Sequence, residues 1–82
     1  VADCGVRHDF APRPGLLDCK IAPGTADALS GPAMTAAQCD QALANGLRIV
    51  QELPGNALLL GEMGIANTSA ASLLLARLAS LD

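Results

Sequence analysis

The run Ala57-Leu58-Leu59-Leu60-Gly61 passes through the turn Glu62-Met63-Gly64-Ile65-Ala66 into Asn67-Thr68-Ser69, and then into a leucine-rich stretch. No other segment restricts the fold as much. A strand with one wet face alternates apolar and polar residues, and this run does not. It therefore reads as a strand buried on both faces, the pattern of a parallel sheet covered by helices. The stretch that follows reads as a helix from about Ser69 to Leu81, apolar around most of its circumference at Leu73, Leu74, Leu75, Leu78 and Leu81. Such a helix is normally covered on more than one side. A strand, a glycine-bearing turn and a helix start also bring backbone N–H groups and the positive end of a helix dipole to an anionic or sugar-bearing ligand.

Upstream, Thr35-Ala36-Ala37-Gln38 is a capping box, with Thr at the N-cap and Gln at N3. The helix it opens is predicted over about Ala36 to Leu53. Cys39, Ala42, Leu43, Gly46, Val50 and Leu53 form its buried stripe, and Asp40, Gln41, Arg48 and Gln51 lie mostly on the wet side. Gly46 costs about 1 kcal/mol relative to Ala, which suits close packing against a neighbour. Pro54-Gly55-Asn56 ends the helix. Val1 to Val6 reads as a short strand, and residues 7–34 are rich in Pro and Gly and loop-like. Within them Leu16 to Ile21 reads as a further short strand or a turn. The expected order is strand, long loop, helix, strand, helix, which is one βαβ unit plus a helix.

A chain of 82 residues is one domain at most, and its 51% apolar content is nearly all small aliphatics, with Phe10 the one aromatic. Such a core is thin, because a domain this short buries only about 60% of its unfolded surface. Two strands do not make a stable parallel sheet. The chain, residues 1–82, thus reads as a single partial domain, a piece of a longer protein or an obligate homo-oligomer. The expectation is self-association through uncovered sheet edges and apolar surface.

The net charge is −3, and Arg7, Arg13, Lys20, Arg48 and Arg77 are scattered, which argues against nucleic-acid binding. No apolar stretch reaches the roughly 18 residues of a membrane helix. Cys4, Cys19 and Cys39 are odd in number and lack CxxC spacing, so they read as reduced thiols in a cytoplasm. No metal or other cofactor is expected.

Two constellations can carry chemistry. In the first, Gly61 and Gly64 let a ligand approach the backbone, Asn67 or Thr68 caps the helix, and Glu62 stands at the carboxyl end of its strand, where open α/β sheets bind ligands. The same residues also read as an ordinary strand–helix turn with an exposed Glu. The pattern is neither GxGxxG nor a Walker A loop. The second constellation is Gly24-Thr25-Ala26-Asp27 with Gly31-Pro32-Ala33-Met34-Thr35, which either walls a pocket, Met34 packing on a flat ring, or is a connecting loop with Met34 as core filler. Thr35 reads as a cap only. Asp3 reads as structural and His8 as a solvated loop histidine.

Four ordered segments carry a resemblance. They are Val1-Ala2-Asp3-Cys4-Gly5-Val6, Lys20-Ile21-Ala22-Pro23-Gly24-Thr25-Ala26, Pro32-Ala33-Met34-Thr35 and Gly61-Glu62-Met63-Gly64-Ile65-Ala66-Asn67-Thr68. They are similar to the nicotinate-nucleotide–dimethylbenzimidazole phosphoribosyltransferases, which make the lower-ligand nucleotide of cobalamin. That family writes the last segment GEMGIGNTT, and this chain departs at Ala66 and Ser69. It writes GTAN and EPAM where this chain has Asp27 and Gly31.

The resemblance implies a slice of a Rossmann-like three-layer α/β domain with a parallel sheet. It implies a glycosyl transfer in which dimethylbenzimidazole displaces nicotinate from nicotinate mononucleotide, with inversion at the anomeric carbon and no cofactor. The family's general base is a glutamate near the carboxyl end of the longer protein, in a segment this chain does not contain. Glu62, Met63, Gly64, Ile65, Asn67, Thr68 and Met34 are the expected substrate-binding residues, with Glu62 on the ribose side. The alternative is a stand-alone module that binds a nucleotide or phosphate, or self-associates, without catalysis.

Overall fold

The computed structural model describes residues 1–81. Strand β1 spans Ala2–Asp3 and β2 spans Leu17–Asp18. They pair in parallel, Ala2 opposite Leu17 and Asp3 opposite Asp18. Helix α1 spans Ala36–Glu52 and α2 spans Asn67–Leu78. The order is strand, strand, helix, helix, an α/β arrangement.

Both strands are only two residues long, and a side chain stops each of them. Asp3 Oδ1 accepts the N–H groups of Gly5 (3.0 Å) and Val6 (2.9 Å), and Asp18 Oδ1 accepts that of Lys20 (3.2 Å). An aspartate that bonds backbone two or three residues ahead replaces the ladder with a turn. The strand expected over Val1 to Val6 therefore ends at Asp3. The two chains nevertheless stay together past the strands. Cys19 N–H donates to the Asp3 carbonyl (2.9 Å), Ile21 N–H to Cys4 (3.2 Å) and Gly24 N–H to Gly5 (2.8 Å).

Helix α1 starts as its capping box requires. Gln38 N–H donates to Thr35 Oγ1 (3.1 Å), and Thr35 N–H donates to Gln38 Oε1 (2.9 Å). It ends at Glu52 because Leu53, which precedes Pro54, is extended. Its covered face differs from the predicted stripe. Gln38, Ala42, Asn45 and Ile49 are the residues withdrawn from solvent, while Cys39, Leu43, Gly46, Val50 and Leu53 are exposed. The turn of the helix is set by a polar contact: buried Asn45 donates from Nδ2 to the Cys19 carbonyl (3.4 Å) and accepts from Gln41 Nε2 (2.8 Å). An unbonded buried amide is costly, so this bond outranks the placement of leucines that have nothing to pack on.

Two further expectations are corrected. Residues 57–61 form no strand and join no sheet among the described residues, and Leu59 is 97% exposed. Helix α2 begins two residues earlier than Ser69 and stops at Leu78 rather than Leu81. Ser80 takes a left-handed conformation (φ 56°), Leu81 N–H reaches back to the Ala76 carbonyl (2.7 Å) and Ser80 N–H to that of Arg77 (3.4 Å). That is a Schellman ending, with serine in the place glycine usually takes. Among the described residues no helix is long and apolar enough to cross a membrane.

Candidate functional site at the carboxyl edge of the strands

Three segments meet beyond the carboxyl ends of β1 and β2: residues 4–8, 20–26 and 32–38. Ligands bind at this edge in open parallel sheets. The Asp3–Lys20 pair organises it. Lys20 Nζ lies 2.9 Å from Asp3 Oδ2, in a pair withdrawn from solvent, and donates to the carbonyls of His8 (2.8 Å) and Val6. The ammonium has three donors, and all three are used. The Lys20 bond first, and then the Val6 and Gly5 N–H groups, hold the Asp3 carboxyl below its ordinary range. Asp3 is thus structural, as the sequence suggested, and Lys20 is the organising residue that sequence reasoning passed over.

The pair fixes a groove. Its strap 4–8 bonds Gly24 through the Gly5 carbonyl, and Gly24 sits at φ 79° in the left-handed region that favours glycine. Ala26 N–H donates to the Ala33 carbonyl (2.8 Å), which joins the 22–26 and 32–38 segments. Between them lies an open groove of about 630 Å³ that includes Gly24, Thr25, Met34, Thr35 and Gln38. A smaller apolar cavity of about 270 Å³ continues from Gly24, Met34 and Gln38 to Cys4, Ile21 and Ala42. The second predicted constellation is therefore assembled, with Met34 facing both spaces. The Met34 thioether is a suitable lining for a flat apolar ring.

The first constellation is not brought to that groove. Glu62, Met63, Gly64, Ile65 and Thr68 are exposed and Asn67 is half-buried. Neither cleft around Met34 contains any of them. Locally the turn is ordered. A Cβ placed on Gly64 would stand 3.6 Å from Glu62 Oε2 and 3.8 Å from Asn67 Cβ, so carboxylate, glycine and helix start are adjacent. Asn67 and Thr68 do not cap α2. The N-cap is Ala66, left-handed at φ 62° and without a side-chain bond, and Asn67 N–H donates to the Gly64 carbonyl (3.3 Å). The entry to the helix needs a positive φ, which alanine adopts only at a cost. Glycine, the residue of the resembled pattern GEMGIGNTT at this position, takes such a conformation without that strain. Among the described residues no cluster of three His, Cys, Asp or Glu side chains is placed to hold a metal ion.

A family model described as phosphoribosyltransferase matches residues 1–82. The chain is 72% identical over 82 residues to the nicotinate-nucleotide–dimethylbenzimidazole phosphoribosyltransferase of Variovorax paradoxus (strain S110), which covers 100% of this chain and 24% of that protein. To the protein of the same name from Dechloromonas aromatica (strain RCB) it is 53% identical over 77 residues, 90% of this chain and 22% of the relative. To that from Aromatoleum aromaticum (strain DSM 19018 / LMG 30748 / EbN1) it is 52% identical over 85 residues, 100% of this chain and 25% of the relative. The chain spans about a quarter of the length of these relatives. No solved structure matches. The match over every residue, with the motifs at the carboxyl edge and at the Glu62 turn both inside it, places the chain in the phosphoribosyltransferase family.

Proposed function

We propose that the chain supplies part of an active site that moves phosphoribose from nicotinate mononucleotide to dimethylbenzimidazole, in the synthesis of the cobalamin lower ligand. The observation that carries this reading is the 72% identity, over the whole chain, to a protein named for that reaction. The groove at the carboxyl edge supports it, being open and lined by Gly24, Thr25 and Met34.

In this reading the Glu62 turn faces the nucleotide. As nicotinate leaves, the anomeric carbon gains positive character, and a carboxylate held beside it lowers the energy of that state. Gly64, Asn67 and Thr68 offer the start of α2 to the phosphate, Met63 and Ile65 wall the sugar, and Met34 packs on a flat ring. The attacking ring nitrogen needs a separate base, which Glu62 does not have to be. Residues 57–61 take up a place as a buried parallel strand, in a three-layer, Rossmann-like domain, once neighbouring strands are supplied. The apolar surface of α2 then becomes an interior face, or a face between copies in a homo-oligomer. The reaction runs in the cytoplasm, and the chain by itself is inactive or nearly so.

Calorimetric titration with nicotinate mononucleotide, beside a Glu62→Ala control, tests the reading. Saturable binding that the control loses is the expected result. Absence of heat at millimolar ligand would mean that this chain has no nucleotide site of its own, and equal binding by the control would remove Glu62 from the nucleotide site.

A further inference from the structure

The chain has five cationic side chains, and two of them stand at the carboxyl edge of the strands, Arg7 and Lys20. Arg13 precedes β2 and so lies at the opposite edge, while Arg48 and Arg77 are on α1 and α2. Lys20 has no donor left, because Asp3 and the carbonyls of Val6 and His8 take all three. The two carbonyls it grips flank Arg7 in the chain, and Asp3 holds the Val6 N–H on the same strap. The backbone that carries Arg7 is thus fixed on both sides.

The Arg7 side chain has a seat as well. Its guanidinium lies over Gly24, where a Cβ would stand 2.8 Å from Nε and 3.3 Å from one terminal nitrogen. Glycine there serves two ends at once, the positive φ and the close approach of Arg7. The guanidinium opens on a cleft of about 280 Å³ lined by Val6, Arg7, His8, Asp9 and Pro23, next to the groove of Gly24 and Met34. Among the described residues Arg7 makes no ion pair, with Asp9 or with any other carboxylate. A planar fork of N–H donors laid over Gly24 and carrying no ion pair is suited to a two-oxygen anion.

We propose that Arg7 binds the anionic group, phosphate or carboxylate, of the ligand taken at this edge. The identity of that ligand as nicotinate mononucleotide rests on the function proposed above, whereas the anion site does not.

The experiment titrates the chain, Arg7→Gln and Arg7→Met with four probes: nicotinate mononucleotide, its phosphate-free riboside, nicotinamide mononucleotide, which lacks the carboxylate, and inorganic phosphate. Circular dichroism checks that each variant keeps its helices, and Arg7→Met, whose stem still covers Gly24, decides the matter if Arg7→Gln unfolds. Loss of a charge-assisted, two-point contact is expected to weaken nicotinate mononucleotide by about tenfold to a hundredfold. If phosphate is the bound group, the riboside is insensitive to the substitution, and the phosphate assigned above to the start of α2 moves to this edge. If it is the carboxylate, nicotinamide mononucleotide is insensitive. Unchanged affinity for nicotinate mononucleotide in a folded variant overturns the proposal. If the wild-type chain binds phosphate through Arg7 but no nucleotide, the anion site stands and the nucleotide reading falls. If it binds neither at millimolar concentration, both fall.

Discussion

Residues 1–53 and residues 54–81 each contain a helix and a loop with candidate site residues, but they are held in different ways. In the first region polar side chains do the tying: Asp3 and Lys20 join the strap to β2, and Asn45 joins α1 to the Cys19 carbonyl. The residues buried there are Asp3, Cys19 and Asn45, two polar and one small. In the second region nothing of the kind exists among the described residues. The bonds are local to the turn and to α2, and Leu59, Leu60, Met63 and Leu78 are each more than four-fifths exposed. The contrast shows that hydrogen bonds can fix a site's shape in a chain too small to bury a core. Apolar residues without a partner surface fix nothing but their own secondary structure.

The largest effect should come from Lys20→Met, which leaves the Asp3 carboxylate unpaired and frees the Val6 and His8 carbonyls. Amide exchange at Gly5, Val6, Cys19 and Gly24 is expected to lose its protection, while exchange along α2 stays as it was. Acid acts on the same knot. The Asp3 carboxyl titrates below its unfolded value, so its contribution is complete at neutral pH. It begins to fade below about pH 4 and is gone once the pH has passed the depressed value. A knot whose amide protection does not weaken at all as the pH is lowered from neutral through the acid range would contradict this assignment.

Gly24→Ala comes next, at about 1–2 kcal/mol for the left-handed backbone, and it should shift Arg7 as well, visible as a change in its side-chain resonances. Thr35→Ala removes the cap of α1 and is expected to cost about 1 kcal/mol, read as lost helicity confined to residues 36–52. Ala66→Gly works in the opposite direction in the second region. It relieves the positive φ at the start of α2 and should stabilise that helix by somewhat under 1 kcal/mol. The smallest effect belongs to Leu59→Lys, within about 0.5 kcal/mol in this chain, because the side chain touches almost nothing. A cost of about 2 kcal/mol or more would show that residues 57–61 are packed, and the contrast between the two regions would collapse.

Much of the local structure was legible. Thr35 and Gln38 announced the start of α1, and Leu53-Pro54 its end, because caps and proline act through neighbouring backbone alone. Met34 and Gly24 were singled out together, and the structure puts them on one groove. Less legible were the features that join distant residues. The rotation of α1 followed from Asn45 meeting the Cys19 carbonyl, 26 residues away, so the leucine stripe pointed to the wrong face. The strand lengths followed from Asp3 and Asp18 turning their side chains onto the backbone ahead. The polar row Gln38, Gln41, Asn45 was the available signal for the first, and the Asp-x-Lys spacing of Asp18 and Lys20 for the second.

The sequence by itself determined which family the chain resembles and where α1 begins and ends. These are properties of short windows, in which each residue acts on its neighbours. The tertiary structure alone decided that Lys20 and Asp3 hold the site, that Arg7 rests on Gly24 as the one unpaired cation of that edge among the described residues, and that Ala66 bears a backbone suited to glycine. Each of these depends on the direction in which a side chain or a peptide unit points once segments far apart in the chain have met, and residue order does not carry that direction.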